Sequence, residues 1–303
     1  MRKLPPGLEK ASAHASYEGS ILAMLEPAVA FFVVCIAAFM LVAGLVGYPY
    51  WRAYQRRKVW QQPFPARWRR VLQRRVPLVQ RLPVDLQLQL KKHMQVFIAE
   101  KAFIGCAGLK VTEDMRVVVA AQACLLLLNR PADYFRNVRQ ILMYPQAFVV
   151  NRTSTDFAGV QQDNRQALAG ESWTQGQVIL SWQDTLEGAA IADDGRNVVI
   201  HEFAHQLDQE NGKATGAPLP NLGDHTYDAQ RWQAVMGQAF AQLQYEAQSG
   251  IQGFLNHYGA QDPAEFFAVV SEAFFEQGAA LAQHYPAVYA ELRAYYKVHP
   301  ALW

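Results

Sequence analysis

The sequence predicts an α+β protein preceded by one transmembrane helix. Three observations carry this. A 22-residue stretch without a charge lies near the N-terminus, short β-type segments cluster ahead of residue 183, and long helical segments fill the rest. With 303 residues, 51% hydrophobic and only 18% charged, the chain can bury a large core and is too apolar for extended disorder. The net charge of +2 hides a segregation: residues 1–81 hold 13 Lys/Arg and 3 Asp/Glu, and the remainder hold 15 and 23. A basic front before an acidic body argues against direct nucleic-acid binding by that body. Cys35, Cys106 and Cys124 form no C-x-x-C and lie among apolar residues, so all three are expected to be buried, reduced thiols.

Taken in order, residues 1–26 are polar and small-residue-rich, and are expected to form a short, loose tail. Residues 27–48, PAVAFFVVCIAAFMLVAGLVGY, span about 30 Å as a helix, the thickness of a bilayer core. Tyr48, Tyr50 and Trp51 supply an interfacial aromatic belt, and no small-residue cleavage site precedes them. Arg52, Arg56, Arg57, Lys58 and Arg67 follow within roughly 20 residues, against Lys10 alone on the other side. The positive-inside rule then places the tail outside and the body in the cytoplasm, as a single-pass protein of the inner (cytoplasmic) membrane. Residues 49–62 read as a basic juxtamembrane linker. The basic run continues to Arg81, suited to gripping anionic headgroups or simply to fixing topology.

The body, 63–303, opens with a helix over Val84–Glu100 that sets Leu86, Leu90, His93, Met94 and Phe97 on one stripe. His93 there reads as a partly buried polar residue and not as a ligand. Residues 111–129 read as a buried helix opened by Thr112 and stopped before Pro131. Strands are predicted at 139–144, 148–150 and 177–182, and a turn at 192–195. A Pro/Gly-rich loop at 216–224 is followed by helices at 227–248, 263–277 and 285–296, the second capped by Asp262 with Pro263 at its first position. There is no internal repeat, no phosphate-binding Gly-rich loop and no G-x-S-x-G.

The chemistry centres on NVVIHEFAHQLDQENG, residues 197–212, which contains H-E-x-x-H at His201, Glu202 and His205. Asn197 can cap this apolar helix and Gly212 can close it in a left-handed conformation. Positions i and i+4 share a helix face, so the two imidazoles can meet one Zn²⁺. Glu202, about 100° round from His201, can reach a metal-associated water without being a ligand. A catalytic site needs a third protein ligand. The extended pattern H-E-x-x-H-x-x-G-x-x-H fails, because Asp208 and Asn211 stand at its Gly and last His. Asp208 is one candidate, as ligand or as support to a ligand. Glu265 and Glu272, in DPAEFFAVVSE, are others: a carboxylate in so apolar a helix needs a partner.

HEFAHQLDQENG, ILMYPQAFVV, GESWTQGQVILSW and YGAQDPAEFFAVVSEAFF together resemble the Mlc titration factor A family of bacterial zinc metallopeptidases, over roughly residues 63–303. The resemblance implies a zincin-like, gluzincin-like metallopeptidase domain with a small mixed sheet, a helical C-terminal half and a catalytic core similar to that of anthrax lethal factor. It further implies that the Glu of the A-E-F stretch, Glu265, is the third zinc ligand, and that Tyr258, seven residues earlier, aids catalysis. Glu272 then becomes a supporting residue. Aminopeptidase activity and a transcriptional-regulator partner are also implied, although the membrane helix and the Arg-rich stretch depart from the soluble members of that family.

The expected reaction is hydrolysis of a peptide or protein substrate, with Glu202 as base and Tyr258 as oxyanion donor. The strand at 177–182 is expected to pair with an extended substrate backbone. The competing expectation is a membrane-tethered binding protein that sequesters a transcriptional regulator, with zinc mainly structural.

Overall fold

The computed structural model describes residues 6–131, 133–155, 161–168, 170–173, 176–220 and 227–303. The chain divides into two units, residues 1–58 and 59–303. Helix α1 (Pro6–Gln61) opens it, and Phe31–Gln61 within α1 is long and apolar enough to cross a membrane by length and composition. Phe31, Phe32, Phe39 and Leu45 of α1 are exposed. The loose tail expected at 1–26 is helical from Pro6, and 49–61 continues the helix without a linker break. The N-terminal flank is rich in Ala, Leu and Glu, and the C-terminal flank carries Arg, Lys and Gln, all of which favour helix.

The second unit begins with two short helices unforeseen in the sequence, α2 (Ala66–Arg75) and α3 (Leu78–Arg81). Helix α4 (Val84–Glu100) has the predicted bounds and buries Leu90, Met94 and Phe97. Strand β1 (Ala102–Gly105) leads to α5 (Glu113–Ala123), whose cap Thr112 accepts the Met115 N–H at 3.3 Å. The single helix expected at 111–129 is thus shorter. It tightens into a 3₁₀ turn at Cys124–Leu127, and Asn129 ends the segment at φ 54°. Cys124 is the one buried thiol; Cys106, just after β1, is half-buried and Cys35 on α1 is exposed, which corrects the expectation for two of the three.

Strands β2 (Gln140–Tyr144), β3 (Phe148–Thr155), β4 (Gln161–Leu168), β5 (Gly170–Trp173) and β6 (Gln177–Ser181) follow. They form a four-stranded sheet in the order β1-β2-β6-β5 and a separate antiparallel β3–β4 hairpin. The first three strands of the sheet run parallel, and β5 pairs antiparallel with β6. Gly176, at φ 80° before β6, has the Asn137 carbonyl 2.7 Å from where a Cβ would stand, so only glycine fits. Because β6 is flanked by β2 and β5, its backbone donors and acceptors are already paired. The expected pairing of 177–182 with substrate is therefore excluded, and β5 is the terminal strand on that side.

Ser181 ends β6 and caps α6 (Trp182–Ala190), a helix not foreseen. Then come α7 (Val198–Asp208), α8 (Ala229–Ser249), α9 (Pro263–Glu276), α10 (Gly278–His284) and α11 (Pro286–Tyr296). Helix α7 packs on α5, α6, α9 and strands β5 and β6. Phe266, Phe267, Phe274 and Phe275 of α9 are buried with Trp232 and Tyr296, an aromatic core in which each side chain contributes about 1.5–3 kcal/mol by burial. That core sets α9 beside α7. The architecture is mixed α+β, mostly helical, with a small sheet.

Candidate metal centre

Helix α7 starts where Asn197 Oδ1 accepts the Ile200 N–H at 3.0 Å, the predicted cap. Val199, Ile200, Phe203, Ala204 and Leu207 are buried and fix its rotation, which turns His201 and His205 to one side. Past Asp208 the chain makes a 3₁₀ turn, and Gly212 sits at φ 130°, ψ −114°. The expected left-handed closure is replaced by this more extended turn.

Helix α9 presents the facing acid. Asp262 accepts the Ala264 and Glu265 N–H groups at 2.8 and 3.0 Å, which fixes the first turn carrying Glu265. His201 Nε2 lies 3.0 Å from Glu265 Oε2 and 3.2 Å from His205 Nε2, and His205 Nε2 lies 3.5 Å from Glu265 Oε1. Burial opposes a charge on His201, but the carboxylates of Glu272 and Glu265 outweigh it and raise its pKa well above that of free imidazole. Burial also pushes Glu265 up, yet its hydrogen bonds to His201 and His205 prevail and bring it down to about 2.

The three acids left open by the sequence separate cleanly in space. Glu272, two turns along α9, places Oε1 2.8 Å from His201 Nδ1 and accepts the Asn197 N–H at Oε2, 2.5 Å away. It therefore faces the opposite ring nitrogen from Glu265 and sets the ring's orientation. Asp208 is fully buried and accepts the N–H groups of Thr215, Gly216 and Ala217 at 2.7, 2.7 and 3.0 Å. It clamps the loop after α7, where Gly216 at φ 73° brings its backbone so near Pro263 that a Cβ would clash. Burial raises the pKa of Asp208 against the pull of those amides.

Glu202 is buried and lines a cleft of about 370 Å³ together with His201, Tyr258 and Glu272. The Tyr258 ring, on a 3₁₀ turn (His257–Ala260), lies 5.8 Å from that of His201. His93 is elsewhere: it is buried with Nδ1 3.0 Å from Tyr134 Oη, and burial brings its pKa down to about 4.

Sequence reading missed Glu276. Its Oε1 accepts from Asn197 Nδ2 at 2.8 Å, and burial, with Glu272 adding repulsion, raises its pKa to about 8. The only signal was a second acid at i+4 from Glu272 on an apolar helix. A folded pKa above the unfolded 4.5 means that the protonated form is favoured by folding. That stability is complete below pH 4.5 and is lost as pH rises through 8. Glu276→Gln is therefore expected to melt close to wild type at pH 5 and to be more stable at pH 9, by roughly 5 kcal/mol at most. Equal pH profiles of thermal melting for the two proteins would contradict this.

Among known proteins, the family described as glucose-regulated metallo-peptidase M90 matches residues 51–297. An uncharacterized protein of Synechocystis sp. is 36% identical over 263 residues, 86% of this chain and 94% of that protein. Mlc titration factor A of Serratia proteamaculans is 32% identical over 228 residues, 74% of this chain and 85% of its own. Its counterpart in Yersinia enterocolitica is 30% identical over 253 residues, 82% and 90% respectively. With its His–His–Glu group inside the matched span, the chain belongs to the glucose-regulated metallo-peptidase M90 family.

Proposed function

We propose that the protein is a membrane-anchored zinc peptidase whose body, residues 63–303, hydrolyses peptide bonds, with aminopeptidase-like action included in that class. The observation that carries this is the donor set. His201 Nε2, His205 Nε2 and a Glu265 oxygen stand 3.0–3.5 Å apart. Three ligands on one tetrahedral Zn²⁺ at about 2.0–2.1 Å would be roughly 3.3 Å apart. Two imidazole nitrogens and a carboxylate converging at that spacing fit such an ion, and the Glu272 bond to Nδ1 leaves the His201 Nε2 lone pair for it.

When bound, Zn²⁺ supplies Lewis acidity toward the scissile carbonyl and lowers the pKa of water beside it. Glu202 takes the proton from the attacking water at its carboxylate and delivers it to the leaving amine. Tyr258, at the rim of the cleft, donates its hydroxyl to the oxygen on which charge develops. Asp208, Glu272 and Asn197 hold the loop and the His201 ring in place. Digestion of a peptide library tests the reading. Cleavage that stops with a chelator and returns with Zn²⁺ is expected; chelator-resistant cleavage, or none, overturns it.

The basic flank after the apolar helix supports a single-pass arrangement with residues 1–26 outside, 49–62 at the inner face and the body in the cytoplasm. A reporter fused after Trp303 is expected to be active only in the cytoplasm, and one fused before Met1 only outside. The name of the Mlc titration factor A relatives favours a second reading, in which the body captures a transcriptional regulator and the metal is structural. A buried Glu202 beside the metal ligands favours chemistry, because a structural site has no use for a base.

A further inference from the structure

A second cavity of about 370 Å³ lies beside the cleft that holds Glu202 and His201. The two share Asp194, Arg196, Asn256 and Val269 as walls. Asp184 and Glu187 on α6 line the cleft but not the second cavity, whereas Arg196 lines both and is the one Lys or Arg among the described lining residues. Its side chain is exposed, and its guanidinium has no ion pair among the described residues. The turn that carries it is built. Asp194 Oδ1 accepts the Arg196 N–H at 2.9 Å, Gln277 Nε2 donates to the Asp193 carbonyl at 2.8 Å, and an Arg81 N–H donates to that of Ala192 at 3.1 Å. The backbone is thus held at three points while the cationic head stays available at the junction.

We infer that Arg196 determines specificity by binding a substrate carboxylate on the side of the scissile bond where the second cavity lies. The inference rests on the peptidase reading of the neighbouring cleft. A guanidinium presents a planar fork that matches a carboxylate with two parallel hydrogen bonds. Apart from the proposed metal site, Arg196 is the cationic group among walls that also carry Asp184, Glu187, Asp194, Glu202 and Glu272, so a substrate carboxylate is drawn to it, and this fixes which end of the peptide lies toward the second cavity. The carboxylate comes either from the C-terminus of a short peptide or from an acidic side chain beyond the cleaved bond.

The test uses the full chain and four peptides: one pair differing as C-terminal acid and amide, another differing as Glu and Gln after the scissile bond. Wild type is expected to show about tenfold lower KM for the carboxylate member of at least one pair, and the responding pair identifies the source. Arg196→Ala should raise that KM by about 10–100-fold with little change in kcat, and leave the amide or Gln member unchanged. Arg196→Lys should recover part of the preference. Calorimetric binding of the same peptides to Glu202→Gln separates the two ideas. Carboxylate-dependent binding without any wild-type cleavage removes the peptidase reading and keeps the role of Arg196. Equal KM across both pairs, or a loss in Arg196→Ala that falls equally on both members, overturns the inference.

Discussion

Glu265→Ala is expected to purify with almost no zinc and with no peptidase activity. Among the described residues, this carboxylate is the one acid that faces Nε2 of both histidines, and without it the proposed site would keep two ligands where a catalytic site needs three. The neighbouring acids supply the comparison. Glu272→Ala leaves Nε2 of both rings in place and loosens the His201 ring, so metal affinity should fall by about 10–100-fold without vanishing. Asp208→Ala should keep metal but lose stability. It strands three amides of the 215–217 loop, each at about 1–3 kcal/mol if it stays out of reach of water. Metal analysis of the three variants side by side decides between them. Stoichiometric zinc in Glu265→Ala, with zinc lost from Glu272→Ala or Asp208→Ala, would move the ligand to another acid.

Glu202→Gln is expected to keep about one zinc per chain while losing peptide hydrolysis by ~10³–10⁴-fold. The change is nearly isosteric in a buried position and removes a proton acceptor, not one of the three converging donors. The loss should therefore appear in kcat, with metal content and thermal melting close to wild type. Activity near the wild-type level in a metal-loaded Glu202→Gln protein would sink the proposed mechanism. A regulator-binding function, if present, should survive this substitution, so binding and hydrolysis can be scored on the same preparation.

Much of the helical framework is legible in the sequence, because helix period, caps and stops are local. Val84–Glu100 stands out by its apolar stripe, α7 by Asn197, and α9 by Asp262 and Pro263. The elements that escaped notice lack such marks. The Arg-rich α2 shows little beyond charge, β1 is four residues long, and α6 follows directly on β6 with Ser181 serving both. The role expected of 177–182 failed because strand order is a non-local property: nothing in QVILS shows that β2 and β5 occupy both its edges. Burial of Cys35 and Cys106 failed similarly, since apolar neighbours along the chain do not supply a packed partner in space.

The sequence by itself determined that His201 and His205 share a helix face, that Glu202 stands beside them, and that an apolar helix carrying Glu265 and Glu272 follows. These are consequences of spacing at 3.6 residues per turn. Which acid faces which nitrogen was decided only by the tertiary structure. The aromatic core under α9 sets its rotation and height against α7, so Glu265 meets both Nε2 atoms and Glu272 meets Nδ1 of His201. Asp208 turns away to the amides of 215–217, and Arg196 comes to the junction of two cavities. Helical periodicity fixes an angle about one axis, whereas a convergent site depends on the relation between two axes, and only packing supplies that.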